Sequence, residues 1–251
     1  MHSLFAILVA VLVLHLGFGV DGAFAQSRAR IFDVEFGAPI SALPQEEFVD
    51  PACGTNGGPP SLPLGRFENF GRCPVEEGTG LREIWFIYDD EWEYIARAQR
   101  DEKTIKRYSA NSFFGQPIIT SLMIDEAGLV QGYRVITDPR APTEVRAESY
   151  VLAGVFKSMV SDAPWACTDL PQEKRERPFE GTFIKRSCVM ASEERLAKLE
   201  ARLLYKAGQD LRVNPRHIDL AEGDFESYTR LEVYGSGAVR DAPCCRASAL
   251  P

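Results

Sequence analysis

One short segment of this chain places aromatic rings next to carboxylates, a combination that can bind sugars or cleave them. Aromatic faces stack on sugar rings, and carboxylates accept hydrogen bonds from sugar hydroxyls. Two carboxylates on opposite sides of a glycosidic bond can also supply the acid and the base of its hydrolysis. The residues of this segment are Trp85, Tyr88, Asp89, Asp90, Glu91, Trp92 and Tyr94.

We predict a ligand-binding role for Trp85, Trp92 and Tyr94. The alternative is a glycan-acting hydrolase that uses the carboxylates of Asp89, Asp90 and Glu91. A purely structural interpretation competes with both, because aromatic residues at strand spacing usually fill a core and acids at a turn usually face water. The segment then forms two strands, residues 81–88 and 92–98, joined by an acidic turn.

The remaining sequence offers little catalytic machinery. Downstream of residue 25, His217 is the only histidine, and no G-x-S-x-G motif supplies a nucleophile for it. The cluster Gly54, Gly57 and Gly58 lacks the lysine and the strand-to-helix context of a phosphate-binding loop. We predict no cofactor and no metal. The formal net charge of −8 argues against a nucleic-acid partner, which needs a concentrated basic face.

The six cysteines predict a disulfide framework. We favour the two local pairings, Cys53 with Cys73 and Cys167 with Cys188, because each closes a segment that has little regular structure of its own. The first closes a long Gly/Pro-rich loop between Pro51 and Gly80, and the second a charged loop over residues 168–187, expected to be solvated. The adjacent pair Cys244 and Cys245 is predicted to be an oxidised C-terminal staple; a vicinal disulfide, a bond to another chain and a soft-metal site stay open.

Residues 1–25 have the features of an export signal. An uncharged apolar stretch from Leu4 to Leu16 is followed by Ala23, Phe24 and Ala25, an A-x-A cleavage motif. No lysine or arginine precedes the apolar stretch, so a retained membrane anchor is the alternative. With cleavage, no stable membrane span is left, and the cysteines then lie in an oxidising compartment.

The hydrophobic pattern predicts several elements along the chain. Residues 117–124 and 129–137 predict a hairpin around Asp125 to Gly128, and strands are predicted at 32–36, 182–189 and 225–234. Residues 143–159 predict a helix capped by Thr143 and ended by Pro164. Residues 193–206 fit either a helix or a strand, with helix slightly favoured.

These elements predict an α+β fold with a mainly antiparallel sheet and one or two packed helices. Two prolines near residues 138–142 suggest a boundary between a β-rich lobe, residues 26–138, and an α+β lobe, residues 139–240, although one continuous domain is the alternative. Residues 241–251 are expected to form a tail. The resulting hypothesis is a non-catalytic, disulfide-bonded protein, periplasmic or secreted and of bacterial type, that binds an envelope protein or glycan.

Overall fold

One antiparallel sheet organises the chain. A computed structural model describes residues 30–89, 91–101, 111–206, 209 and 225–238, and within these residues nine strands form a single sheet. The strands are β1 (Phe48–Cys53), β2 (Arg82–Tyr88), β3 (Ser112–Phe113), β4 (Gln116–Ile124), β5 (Val130–Thr137), β6 (Ala166–Asp169), β7 (Ile184–Ala191), β8 (Arg195–Leu204) and β9 (Glu226–Gly235). Their order across the sheet is β1, β2, β4, β5, β9, β8, β7, β6, with β3 paired to β4.

Helices are short and few in the described part of the chain. The α-helices are α1 (Glu91–Gln99), α2 (Thr143–Arg146) and α3 (Leu152–Val160). Single turns of 3₁₀ helix occur at Ile31–Asp33, Ile40–Ala42 and Ser149–Val151, and a longer one at Phe67–Arg72. The predicted sheet-dominated α+β class, with its mainly antiparallel pairing, is confirmed at this level.

The two faces of the sheet differ in chemistry because side chains alternate along each strand. One face is apolar, and buried residues follow one another across its central strands: Ile84, Leu122, Tyr133, Val233 and Ala197. Helix α3, through Phe156, and the first described residues, through Ile31 and Phe32, pack against this apolar face. The opposite face is rich in charged residues.

Several predicted elements are confirmed. The hairpin of β4 and β5 turns at Asp125, whose carboxylate accepts a hydrogen bond from the backbone N–H of Leu129 at 2.9 Å. Gly128 adopts a φ of +80° there, which glycine tolerates best. Strands β2, β7 and β9 lie where the hydrophobic pattern predicts them.

Two strand predictions in the first half are wrong. Residues 32–36 do not form a strand; a 3₁₀ turn directs Phe32 onto the rings of Phe113 and Tyr133. Residues 92–98 belong to helix α1, so the acidic segment before them is a strand-to-helix junction rather than a hairpin turn. The alternation that indicated a strand does not correspond to burial, because Tyr94 is 73% exposed.

The helix favoured for residues 193–206 is also wrong, because this segment is strand β8. Burial alternates along it: Ala197, Leu199, Ala201 and Leu203 are buried, and the charged residues between them lie on the opposite face. The neighbouring strands β7 and β9 pair with β8 along its whole length. Tertiary pairing therefore decides a pattern that is locally ambiguous.

Two further predictions are only partly correct. The predicted helix over residues 143–159 is interrupted by the 3₁₀ turn at Ser149–Val151, and Pro142, rather than Thr143, occupies the N-cap position of α2. The loop over residues 168–187 is not wholly solvated. Glu176 and Lys185 are buried and form an ion pair at 2.9 Å.

Both predicted local disulfides are present. Cys53–Cys73 is buried beneath the apolar face, and Cys167–Cys188 joins directly opposed residues of β6 and β7. The export segment, His217, Cys244, Cys245 and the predicted tail lie outside the described residues. Of the helices that the structure describes, none has the length and apolarity required to cross a membrane.

We expect Gly132→Ala to destabilise the protein, because an added Cβ on β5 would lie 2.4 Å from the backbone oxygen of Val233. Overpacking of this kind costs about 1–3 kcal/mol of unfolding free energy. The matched control is Gly154→Ala on the exposed side of helix α3, where an added Cβ meets nothing within 4 Å. That substitution should stabilise by about 0.5–1 kcal/mol. Equal effects of the two substitutions in urea denaturation would contradict the close approach of β5 and β9.

Candidate functional site

A row of side chains crosses the polar face of the sheet from β2 to β8. Trp85, Ser121, Arg134, Glu232 and Lys198 are direct cross-strand neighbours in that order. Neighbouring strands lie about 4.8 Å apart, so adjacent members of this polar row are close enough to interact. The sheet register, which is fixed by burial of the apolar face, therefore brings these residues together.

Arg134 is the centre of the polar row, and its side chain is only 3% exposed. Its guanidinium contacts three carboxylates: Glu83 at 2.8 Å, Glu232 at 2.8 Å and Glu76 at 3.0 Å. Burial would lower the pKa of Arg134, but these carboxylates outweigh it and raise the pKa above its usual value. Arg134 is therefore a permanent positive charge inside the protein.

Glu232 connects Arg134 to the next positive charge, Arg230. One oxygen of Glu232 accepts hydrogen bonds from both arginines, and the other accepts a hydrogen bond from the hydroxyl of Tyr234 at 3.3 Å. Burial alone would raise the pKa of Glu232, but the charges of Arg134 and Arg230 hold that pKa below its usual range. Glu232 is thus ionised and has both oxygens occupied.

The same network fixes the segment that follows β1. The backbone N–H of Asn56 donates to Glu83 at 2.7 Å, and Arg230 donates to the backbone oxygen of Asn56 at 3.1 Å. Gly57 lies so close to Ile136 that a Cβ would approach the isoleucine side chain to 2.4 Å. Residues 56 and 57 are consequently held against the polar face, where they form one wall of a cleft.

This cleft has a volume of about 690 Å³, within the range of small-molecule sites. It opens beside the first residues of β9. Because β5 ends at Thr137, residues 226–229 of β9 have no pairing partner on β5. Its walls combine charged groups with a few apolar side chains. The lining residues are Asn56, Gly57, Ile136, Thr137, Pro139, Arg146, Lys198, Glu200, Lys206, Gln209, Phe225, Glu226, Ser227, Tyr228, Arg230 and Glu232.

Most charged groups of the cleft are paired within the protein. Lys206 forms an ion pair with Glu226 at 2.5 Å, and Glu200 accepts a hydrogen bond from the hydroxyl of Tyr228 at 3.0 Å. Burial raises the pKa of that tyrosine, with the charge of Glu200 contributing. At pH 7 the hydroxyl of Tyr228 is therefore a proton donor and not an anion.

The structure places the predicted ligand-binding residues Trp85 and Tyr94 on different elements. Trp85 is half-buried at one end of the polar row, whereas Tyr94 is exposed on helix α1, and neither lines the cleft. The side chain of Trp92 lies outside the described residues. Their ligand-binding role stays a prediction.

The acidic residues of the alternative catalytic set lie at the start of helix α1. Asp89 accepts a hydrogen bond from the backbone N–H of Glu91 at 3.1 Å, which is a helix-start contact. Asp90 lies outside the described residues. Hydrolysis by this set also stays a prediction. No group of three or more His, Cys, Asp or Glu side chains is arranged to hold a metal ion within the described ranges.

Sequence reasoning missed the residues that line the cleft. A signal was present, because charged or polar residues occupy every second position of both β8 and β9: Lys198, Glu200 and Arg202 on one strand, and Glu226, Tyr228, Arg230 and Glu232 on the other. If both segments are strands, each has its polar side chains on one face and its apolar side chains on the other. For residues 193–206 the alternation is recognised, but the helix is slightly favoured, so their polar face is not combined with that of residues 225–234.

The comparisons with known proteins give no family for this chain. No protein family, no curated protein and no solved structure was found that matches it. The site must therefore be interpreted from its own chemistry.

We expect Arg134→Met to be strongly destabilising, because it leaves the buried Glu83 without its positive partner and takes from Glu232 one of its two arginines. Removal of one member of a buried ion pair costs about 3–5 kcal/mol. The control is Arg175→Met, an exposed arginine whose loss should change stability by less than about 0.5 kcal/mol. Denaturant unfolding at pH 7 measures both. A similar small effect of the two substitutions would show that the network does not stabilise the fold.

The depressed pKa of Glu232 predicts acid lability. Because this pKa is lower in the folded chain than in the unfolded chain, ionised Glu232 stabilises the fold above its unfolded pKa of about 4.3. That contribution is lost as the pH falls through the folded pKa. Glu232→Gln should be less stable than the parent at pH 7, and the difference should shrink as the pH falls below the unfolded pKa of about 4.3 and through the lower folded pKa. Glu77→Gln, at an exposed position, is the control and should show a pH profile parallel to that of the parent.

Proposed function

We propose that this protein is a non-catalytic binding protein of the bacterial cell envelope, periplasmic or secreted, whose cleft over β8 and β9 receives a small polar ligand. The observation that carries this proposal is the cleft of about 690 Å³, whose charged walls are fixed by ion pairs within the protein. An ordinary solvent-facing sheet surface has no need of buried charges such as Arg134, because burial of a charge is costly unless it is paired.

Preorganisation supports a binding role. Arg230, Glu232 and Asn56 hold one another in place, so ligand binding does not have to order these side chains first. A site whose groups are fixed in advance loses less conformational entropy on binding and gains affinity. The cleft also has apolar lining from Ile136, Pro139 and Phe225, which provides contact area for the body of a ligand.

The oxidising environment supports the proposed location. The two disulfides indicate an oxidising compartment, and the export signal predicted for residues 1–25 would deliver the chain to one. We also propose Trp85 as a contact for the outer part of a longer ligand, because it is partly exposed at the opposite end of the polar row from Lys198. An indole at that position can stack on a planar group or on a sugar ring.

The experiment is native mass spectrometry of the mature protein after incubation with the low-molecular-weight fraction of its native host's envelope, combined with thermal unfolding. We expect a defined adduct and a raised melting temperature, since a ligand that binds only the folded state stabilises it. The variant Lys198→Ala/Glu200→Ala removes two charged side chains that line the cleft without changing the net charge. The control is Glu77→Ala/Lys174→Ala, which removes the same charges at exposed positions.

The parent and the control should form the adduct, and the cleft variant should lose it. Absence of any adduct from the parent, or an adduct that the cleft variant keeps unchanged, would contradict a binding role for the cleft.

A further inference from the structure

Lys198 differs from the other charged residues of the cleft in its contacts. Among the described residues it makes no hydrogen bond and no ion pair, whereas Lys206, Arg230 and Glu232 all have partners. Lys198 lies in the middle of β8, on the cleft floor. It is half-buried. Burial lowers the pKa of Lys198, and this effect outweighs the charges of Glu232 and Glu200, which act to raise that pKa.

The carboxylates that flank Lys198 are committed to other donors. Glu232 is its direct neighbour on β9, but its two oxygens accept hydrogen bonds from Arg134, Arg230 and Tyr234. Glu200, two residues further along β8, accepts a hydrogen bond from Tyr228. The protein thus holds an ammonium donor in a cleft beside carboxylates that already accept hydrogen bonds from other donors.

A monoanionic oxygen group fits this position best. An ammonium ion forms its strongest hydrogen bonds with ionised acceptors, so an anion is preferred to a neutral hydroxyl. A dianion such as a phosphate monoester would carry a second charge close to Glu200 and Glu232, whose charges would repel it. Lys198 carries one positive charge, which one negative charge neutralises.

We infer that the cleft binds a small carboxylic acid, whose carboxylate accepts a hydrogen bond from the Nζ of Lys198. This inference rests on the proposed binding function and specifies its ligand class. The carboxylate has two sources that fit the cleft: an acidic sugar, as in an envelope glycan, and a carboxylic acid with an apolar body that would lie on Ile136 and Phe225.

The experiment compares each acid with its neutral counterpart. Glucuronate is paired with glucose, and benzoate with benzamide, each titrated into the full mature protein while calorimetry measures the Kd and NMR follows the side-chain signals of the lysines. The variants are Lys198→Gln, which removes the charge, Lys198→Arg, which keeps it, and Lys174→Gln at an exposed position outside the cleft.

We expect at least one acid to bind about 10-fold or more tightly than its neutral counterpart, since a hydrogen bond to a charged group contributes about 1.5–3 kcal/mol. Lys198→Gln should lose that preference, and Lys198→Arg and Lys174→Gln should keep most of it. The Lys198 signal should shift with the acid and the Lys174 signal should not. The sugar and benzoate arms then identify which source of carboxylate the cleft prefers.

Several outcomes would overturn the inference. Equal affinity for an acid and its neutral counterpart, in the parent and in Lys198→Gln, would mean that the cleft binds ligands without regard to charge. That result would leave the proposed binding function intact but would contradict the inference that the ligand is a carboxylic acid. A Lys198 signal that responds to no acid would likewise exclude the contact. Thermal unfolding of each variant without ligand separates a lost contact from a lost fold.

Discussion

The buried guanidinium of Arg134 imposes a constraint that the rest of the polar face has to meet. A charged group that is only 3% exposed is tolerated only when opposite charges neutralise it and hydrogen-bond acceptors bind its donors. Three carboxylates meet that requirement, one on β2, one on β9 and one in the segment that follows Cys73. Arg134 therefore ties two strands and a connecting segment to the centre of the sheet.

This constraint explains why a Gly/Pro-rich segment adopts a defined position. The disulfide Cys53–Cys73 joins its two ends beneath the apolar face, and Glu76, Glu83 and Asn56 fix neighbouring parts to the polar face. Residues 61–64 add backbone hydrogen bonds to β1. Covalent and ionic contacts thus add to the burial of Leu64 and Phe67 in ordering a segment of this composition.

The sequence predicts what depends on local pattern and misses what depends on distant partners. The hairpin of β4 and β5 is readable because its turn and its alternation are adjacent in the chain, and the local disulfides are readable because each closes a short loop. Strand β8 is not, since its alternating residues 195–204 also fit a helix until β7 and β9 pair with it. Arg134 lies 58 positions from Glu76 and 98 from Glu232, separations over which one sequence carries no pairing signal.

The cleft follows from the place where β5 leaves the sheet. Beyond Thr137 the chain turns through Pro139 and Pro142 towards helix α2, so the last pair between β5 and β9 is Ile136 with Arg230. The earlier residues of β9 keep β8 on one side and, among the residues that the structure describes, have no strand on the other. Thr229 compensates through its backbone N–H, which donates to the hydroxyl of Thr137 at 3.0 Å, and its own hydroxyl donates to the backbone oxygen of Ser149 at 2.8 Å. Those contacts anchor β9 at the apolar side of the gap and leave its polar side open beside Lys198. The exit of β5 from the sheet thus produces the space, and the register of the sheet places the ammonium group of Lys198 within it.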